Sequence, residues 1–201
     1  MAQDPENFLI LTLDGGPVVI KLRPDVAPGH VARIKELARE GFYDGVVFHR
    51  VIPRFMAQGG DPTGSGMGGS DKPDLPAEFS KEPHVKGVCS MARTNNPDSA
   101  NSQFFLMRAA FPRLERNYAA FGRVIAGQDV VKAIKVGEPV EEPQDKMLSV
   151  RVLTDMPEKD RPKIRVIDPA GKWFKAEVAR AQAATGANFT VCDVNIPVEV
   201  K

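Results

Sequence analysis

Apolar positions along this chain fall into short runs of strand character, broken repeatedly by glycine and proline. Residues 9–13 and 18–22 are apolar runs flanking Asp14-Gly15-Gly16-Pro17, which predicts an opening hairpin. Between Pro28 and Glu40 the period changes: Val31, Ile34, Leu37 and Ala38 recur at helical spacing, with Gly41 just beyond, so a helix with one buried stripe is expected. Strand-like runs follow at 46–52, 54–58, 87–92, 103–107, 119–125 and 147–153, and Gln128–Val136 has the spacing of a short second helix. Residues 59–76 carry six glycines and three prolines and read as a loop. Many short strands with two helices suggest a barrel or a sandwich, and spacing alone does not choose between them.

The last part of the chain has a different character. Pro157 to Pro162 is a charged, proline-bounded linker. Beyond it a strand at 163–167, a helix near 173–185 and a final strand are expected, with Phe174, Val178 and Ala181 on one helix face. Apolar positions in the final strand change parity at Cys192-Asp193, which predicts a β-bulge, and Pro197 marks an edge. The expected division is therefore 1–156 as the main unit and 157–201 as a strand-helix-strand extension packed onto it, too small to bury a core alone.

Composition narrows the functional classes. The chain has 201 residues, 42% of them apolar, enough for an ordinary core. Lys plus Arg number 27 against 26 Asp plus Glu, and the absence of a basic block argues against nucleic acid as a partner. His30, His49 and His84 lack the paired spacing of a metal site, so no metal is expected; no cofactor is expected either. The loop at 64–69 lacks the Lys-Ser or Lys-Thr ending of a phosphate cradle. Cys89 and Cys192 lie in apolar surroundings and read as reduced thiols of a cytoplasmic protein. The polar first residues show no leader, and no membrane span is visible; a periplasmic protein whose leader had been removed would look the same.

The chemistry is concentrated in Phe48-His49-Arg50-Val51-Ile52-Pro53-Arg54-Phe55-Met56-Ala57-Gln58-Gly59-Gly60-Asp61 and, later, Ser102-Gln103-Phe104-Phe105. Strand alternation predicts Phe48, Arg50 and Ile52 on one face, with Val47, His49 and Val51 on the other. A strand arginine taken alone is usually a solvated ion-pair partner. Together, however, the two segments strongly resemble the signatures of the cyclophilin family of peptidyl-prolyl cis-trans isomerases, and the likeness runs through roughly residues 8–155. It implies a mainly β fold, a closed eight-stranded antiparallel barrel capped by two helices. It also implies an enzyme that accelerates rotation about X-Pro bonds in folding or flexible chains.

On that resemblance Arg50 and Gln58 are the catalytic pair, and Phe55, Met56, Phe105 and Leu114 form the proline pocket. Ala92, Arg93 and Thr94 receive the residues before proline, with Gln103 and Tyr118 at the rim. Phe104 and Phe105 are adjacent in a strand, so one should be core and the other pocket; the resemblance selects Phe105 for the pocket. His49 reads as a structural, hydrogen-bonded histidine, because amide rotation transfers no proton. Departures from the better-known eukaryotic members bear on selectivity. Arg113 stands where those have a cyclosporin-contacting tryptophan, which implies weak cyclosporin binding, and Arg54 adds positive charge near the groove, which would favour acidic peptides. The expected partners are X-Pro peptides and flexible protein segments, bound by a monomer. A competing reading is a proline-segment binding module or chaperone whose turnover is incidental.

Overall fold

The computed structural model describes residues 4–166, 172–186 and 198–200. The opening hairpin joins β1 (Phe8–Leu13) to β2 (Gly16–Leu22) through Asp14-Gly15, with Leu13 opposite Gly16. Gly16 has φ 119°, a conformation that a side chain would strain, which is why glycine ends this two-residue turn. Helix α1 spans Pro28–Arg39 and buries Val31, Ile34, Leu37 and Ala38, with His30 and Arg33. Pro28 occupies the first turn, where its missing N–H costs no hydrogen bond. The remaining strands are β3 (Arg50–Ile52), β4 (Met56–Gly59), β5 (Val88–Met91), β6 (Phe104–Met107), β7 (Ala120–Ala126) and β8 (Ser149–Val152). Helix α2 spans Gln128–Ala133, shorter than predicted because the backbone at Ile134 turns extended (ψ 130°).

Strands β1 to β8 form one antiparallel sheet in the order β3-β4-β6-β5-β7-β2-β1-β8. Its interior is filled by a cluster that includes Leu9, Leu11, Val18, Ile20, Phe48, Val51, Leu106, Phe104 and Phe121, joined by Val31 and Ile34 of α1 and Val131 of α2. Each such side chain removed from water contributes roughly 1.5–3 kcal/mol before ordering costs are deducted.

Three sequence expectations are corrected here. The sheet is not closed by a strand ladder: β3 and β8 are end strands, and isolated bonds span the gap between them. Val51 and Gly137 exchange backbone bonds of 2.8 and 2.9 Å, Phe48 N–H donates to the Asp145 carbonyl at 3.0 Å, and Met147 N–H to the Val46 carbonyl at 2.9 Å. The segments facing each other across this seam are irregular, so regular pairing cannot continue through them. The same irregularity breaks the alternation before Arg50. Phe48 is fully buried with Val51 in the interior, rather than sharing a face with Arg50 and Ile52, because pleating begins only at Arg50. Strand β4 likewise starts later than the predicted residue 54, since Arg54 has φ 58° and lies in the turn that follows β3.

Beyond β8, β9 (Ile164–Val166) pairs antiparallel with β10 (Val198–Val200), and α3 covers Lys172–Thr185. Ile164 and Val198 pack against an outer cluster of Phe8, Ile10, Val19, Ile125 and Leu153. The bulge predicted at residues 192–193, and most of the predicted final strand, lie outside the described residues.

Candidate active site

The register aligns one row of side chains across four strands. Arg50 of β3 stands opposite Gln58 of β4, Gln58 opposite Phe105 of β6, and Phe105 opposite Ser90 of β5. Directly opposed residues share a face, so this row points together to the outside of the curled sheet. The row next to it, Val51, Ala57, Leu106 and Cys89, points inward, and all four are buried in the interior cluster. The outer face would be polar in a plain barrel. Instead it carries a second apolar cluster of Met56, Val88, Phe105, Met107, Leu114 and Ala120, flanked by Ile52, Phe55, Ala92, Phe111 and Tyr118.

A cavity of about 540 Å³ opens over that cluster and is lined by Arg50, Phe55, Met56, Gln58, Ala92, Arg93, Phe105, Leu114 and Tyr118. Thr94 and Gln103 line an adjoining cavity of about 360 Å³ that shares Gln58, Ala92 and Arg93 with the first. Sequence-predicted site residues are thus gathered into two connected hollows. Phe104 and Phe105 divide as expected, the former in the interior and the latter beneath the cavity.

Polar contacts fix the mouth of the cavity. Arg50 Nε donates to Glu138 Oε1 at 2.6 Å, and Nη1 reaches Gln58 Oε1 at 3.4 Å. Gln58 Nε2 donates to Gln103 Oε1 at 2.9 Å, and Gln103 Nε2 donates to the carbonyls of Gly66 and Gly68 at 3.0 and 2.8 Å. The glycine loop is in turn organised by Asp61, which is fully buried. Its carboxylate accepts from the backbone of Thr63, Gly66 and Gly68 and from the hydroxyls of Thr63 and Ser65. Burial alone would raise the Asp61 pKa; the bonds from Thr63, Gly68 and Gly66 outweigh it and hold the pKa at about 2. A continuous hydrogen-bonded path therefore runs from buried Asp61 to the exposed end of Arg50.

The far wall is held differently. Arg93 lies over the Tyr118 ring at 4.7 Å and the Phe79 ring at 5.4 Å, and its Nε donates to the Asn117 carbonyl at 2.9 Å. Tyr118 packs edge-on to Phe105, with ring centroids 5.6 Å apart. Under Phe105, buried His84 shares a 2.8 Å hydrogen bond with Ser90, and burial lowers its pKa.

Three sequence expectations need amendment. His49 is buried and sits under Gly66, but neither ring nitrogen has a hydrogen-bond partner among the described residues, so packing rather than a hydrogen bond holds it. Arg54 is not among the residues lining the Arg50 cavity; the turn at φ 58° places it in a separate hollow. Glu138, Asp61 and His84 were missing from the predicted site. Asp61 carried a readable signal, an acid followed by Thr63 and Ser65 among glycines, whereas Glu138 meets Arg50 from 88 positions away and carried none.

Residues 8–154 match the family model described as cyclophilin type peptidyl-prolyl cis-trans isomerase. A probable peptidyl-prolyl cis-trans isomerase of Brucella suis is 54% identical over 151 residues, covering 70% of this chain and 77% of that one. Peptidyl-prolyl cis-trans isomerase B of Bacillus subtilis is 40% identical over 131 residues, covering 64% of this chain and 90% of that one. Among solved structures, cyclophilin AquaCyp293 from Hirschia baltica superposes with a TM-score of 0.84 at 33% identity, covering 100% of this chain and 92% of that one. A Cryptosporidium parvum cyclophilin type isomerase, crystallised in the presence of the dipeptide Ala-Pro, gives 0.67 at 25% identity, covering 72% of this chain and 98% of its own. With its outer apolar cavity, its strand arginine and this match over most of its length, the chain belongs to the cyclophilin-type peptidyl-prolyl cis-trans isomerases.

Proposed function

We propose that Arg50 is the group that lowers the rotation barrier, working over a proline pocket made by Phe55, Met56, Phe105 and Leu114. Rotation about an X-Pro bond is slow because it breaks amide resonance, at a cost of roughly 18–20 kcal/mol. In the twisted transition state the prolyl nitrogen regains its lone pair and accepts a hydrogen bond, which it hardly does when planar. A donor aimed at that nitrogen stabilises the transition state over both ground states. Guanidinium suits this task because it stays charged at any working pH. Pairing Nε with Glu138 leaves Nη2 without a partner among the described residues, and therefore available to substrate. This arrangement is the observation that carries the reading.

The apolar cluster anchors the proline ring while the acyl side turns. Gln58 orients Arg50 and offers an amide to the substrate backbone. Ala92, Arg93 and Thr94, with Gln103 and Tyr118 at the rim, receive the residues before proline along the two connected hollows. Each tenfold in rate requires about 1.4 kcal/mol of selective stabilisation. One charge-assisted bond in a partly dry site supplies about 1.5–3 kcal/mol, and desolvation of the prolyl amide adds to it.

The finer reading is of a monomer acting on flexible X-Pro segments in the cytoplasm. Cys89 is a buried free thiol, in keeping with a reducing compartment, and no helix among the described residues is long and apolar enough to cross a membrane. Arg113, exposed beside the cavity wall at Leu114, supports weak cyclosporin affinity. The extension that begins at residue 157 acts as a brace on the sheet, a role supported by the packing of Ile164 and Val198 on the Phe8, Ile10 and Val19 surface.

Titrating an unlabelled Ala-Pro-containing peptide into isotope-labelled protein tests the site. Amide and methyl shifts are expected at Met56, Ala92, Phe105 and Leu114. Shifts confined to the opposite side of the sheet would refute the assignment.

A further inference from the structure

The turn following β3 and the face of α2 enclose a separate hollow of about 380 Å³. Its walls carry Arg54, Lys86, Arg108 and Lys132, over a floor from Pro53 and Val131, and no carboxylate lines it. Among the described residues none of these four cations forms an ion pair. Some cations elsewhere are matched: Arg23, Arg39, Lys72 and Arg151 each meet carboxylates at 2.8–3.2 Å or closer. Lys81, Arg113 and Lys146 likewise form no ion pair among the described residues, so what sets the hollow apart is that four unpaired cations converge on it.

Two features show that this is a built hollow rather than a scatter of surface lysines. Arg108 is half-buried: its Nη2 donates to the Lys132 carbonyl, while its Nη1 is cut off from solvent with no hydrogen-bond partner among the described residues. Burying an unpaired charge is costly, and burial accordingly lowers the Arg108 pKa. Arg54 holds a left-handed backbone, φ 58°, that non-glycine residues adopt at a cost, in a turn tied down by the 2.8 Å bond from Arg108 N–H to the Phe55 carbonyl.

We propose that this hollow binds a phosphoryl group. A phosphate dianion brings close to two negative charges and several strong acceptor oxygens at neutral pH, whereas one carboxylate would leave most of the surrounding charge unmatched. The dimensions suit a compact oxyanion and not a duplex, and the near-neutral chain lacks the extended stripe that a nucleic acid requires. Phosphate could arrive free, on a small molecule, or on a phosphorylated protein segment, since the recognised group is the same. Its position one residue from Phe55 would bring such a group close to the proline pocket. The site stands apart from the roles proposed for Arg50 and its neighbours.

Amide shifts followed while sodium phosphate replaces sodium chloride at constant ionic strength test this directly. Saturable shifts are expected at Arg54, Lys86, Arg108 and Lys132, with affinity falling at least tenfold in Lys132→Glu and in Arg54→Glu while catalysed X-Pro exchange is retained. Lys132→Ala provides a milder variant should charge reversal disturb α2. A phosphoserine peptide that binds more than tenfold tighter than inorganic phosphate, and than its unphosphorylated form, would identify a protein-borne source; equal affinities would identify a free one. Non-saturating shifts, shifts unchanged in the variants, or the same response to sulfate-free chloride alone would overturn the proposal, as would a preference for single-stranded DNA over phosphate at this surface.

Discussion

Arg50 and Glu138 meet through a 2.6 Å bond from Nε to a carboxylate oxygen, with Arg50 about two-fifths exposed and Glu138 more than half exposed. The bond uses the side of the guanidinium nearest the chain, so that Nη1 meets Gln58 and Nη2 has no partner among the described residues. An exposed pair of this kind is worth about 0.2–1 kcal/mol, so its effect should be on aim rather than on fold stability. Glu138→Ala is expected to lower kcat/KM for a short X-Pro peptide about two- to fivefold with Tm unchanged. Increased activity would mean that Glu138 restrains Arg50 and must be displaced by substrate.

Acid stability separates the buried groups. Burial lowers the pKa of His49 and of His84, so both are neutral in the fold; the stability they contribute is present above the ordinary histidine value of 6.5 and is lost as pH falls below it. Asp61 has its folded pKa lowered from 3.8 to about 2, so its contribution is present above pH 3.8 and is lost between there and about 2. That shift corresponds to about 2 kcal/mol. Asp61→Asn should flatten the acid limb of a denaturation series below pH 4 and leave the histidine limb in place. An unchanged acid limb would show that the glycine loop does not depend on this carboxylate.

The adjacent phenylalanines should fail in opposite ways. Phe104 packs edge-on to Tyr43 and Phe121 in the interior, with centroids 5.5 and 6.1 Å away, whereas Phe105 forms the cavity floor against Tyr118. Phe104→Ala should cost about 3–5 kcal/mol in chemical denaturation, the usual loss for an emptied aromatic core position. Phe105→Leu should cost less than half of that yet raise KM for X-Pro peptide severalfold. Equal stability losses with equal KM would erase the distinction between the two faces of β6.

Local pattern made much of this legible. The two-residue period in 103–107 separates Phe104 from Phe105, and the helical spacing of Val31, Ile34 and Leu37 marks the stripe that α1 buries. What stayed hidden depends on contacts between distant segments. The seam joins Val51 of β3 to Gly137, in a segment with no strand pattern, so neither the missing ladder nor the inward turn of Phe48 could be read beforehand. Arg54 could not be placed either, because a positive φ at arginine has no signature in composition or spacing. Of the polar path from Asp61 to Arg50, the sequence exposed Gln58 and Gln103 only through resemblance, since their mutual bond arises from neighbouring strands that pairing alone brings together.

Exchange spectroscopy on a short X-Pro peptide, comparing wild-type protein with Arg50→Ala and Arg50→Lys, addresses the catalytic assignment most directly. Removing one charge-assisted donor worth about 1.5–3 kcal/mol should slow catalysed cis-trans exchange by roughly one to two orders of magnitude in Arg50→Ala. Lysine should restore only part of the rate, and peptide affinity should change little. Equal catalysed exchange in wild type and Arg50→Ala would contradict a guanidinium acting on the prolyl nitrogen.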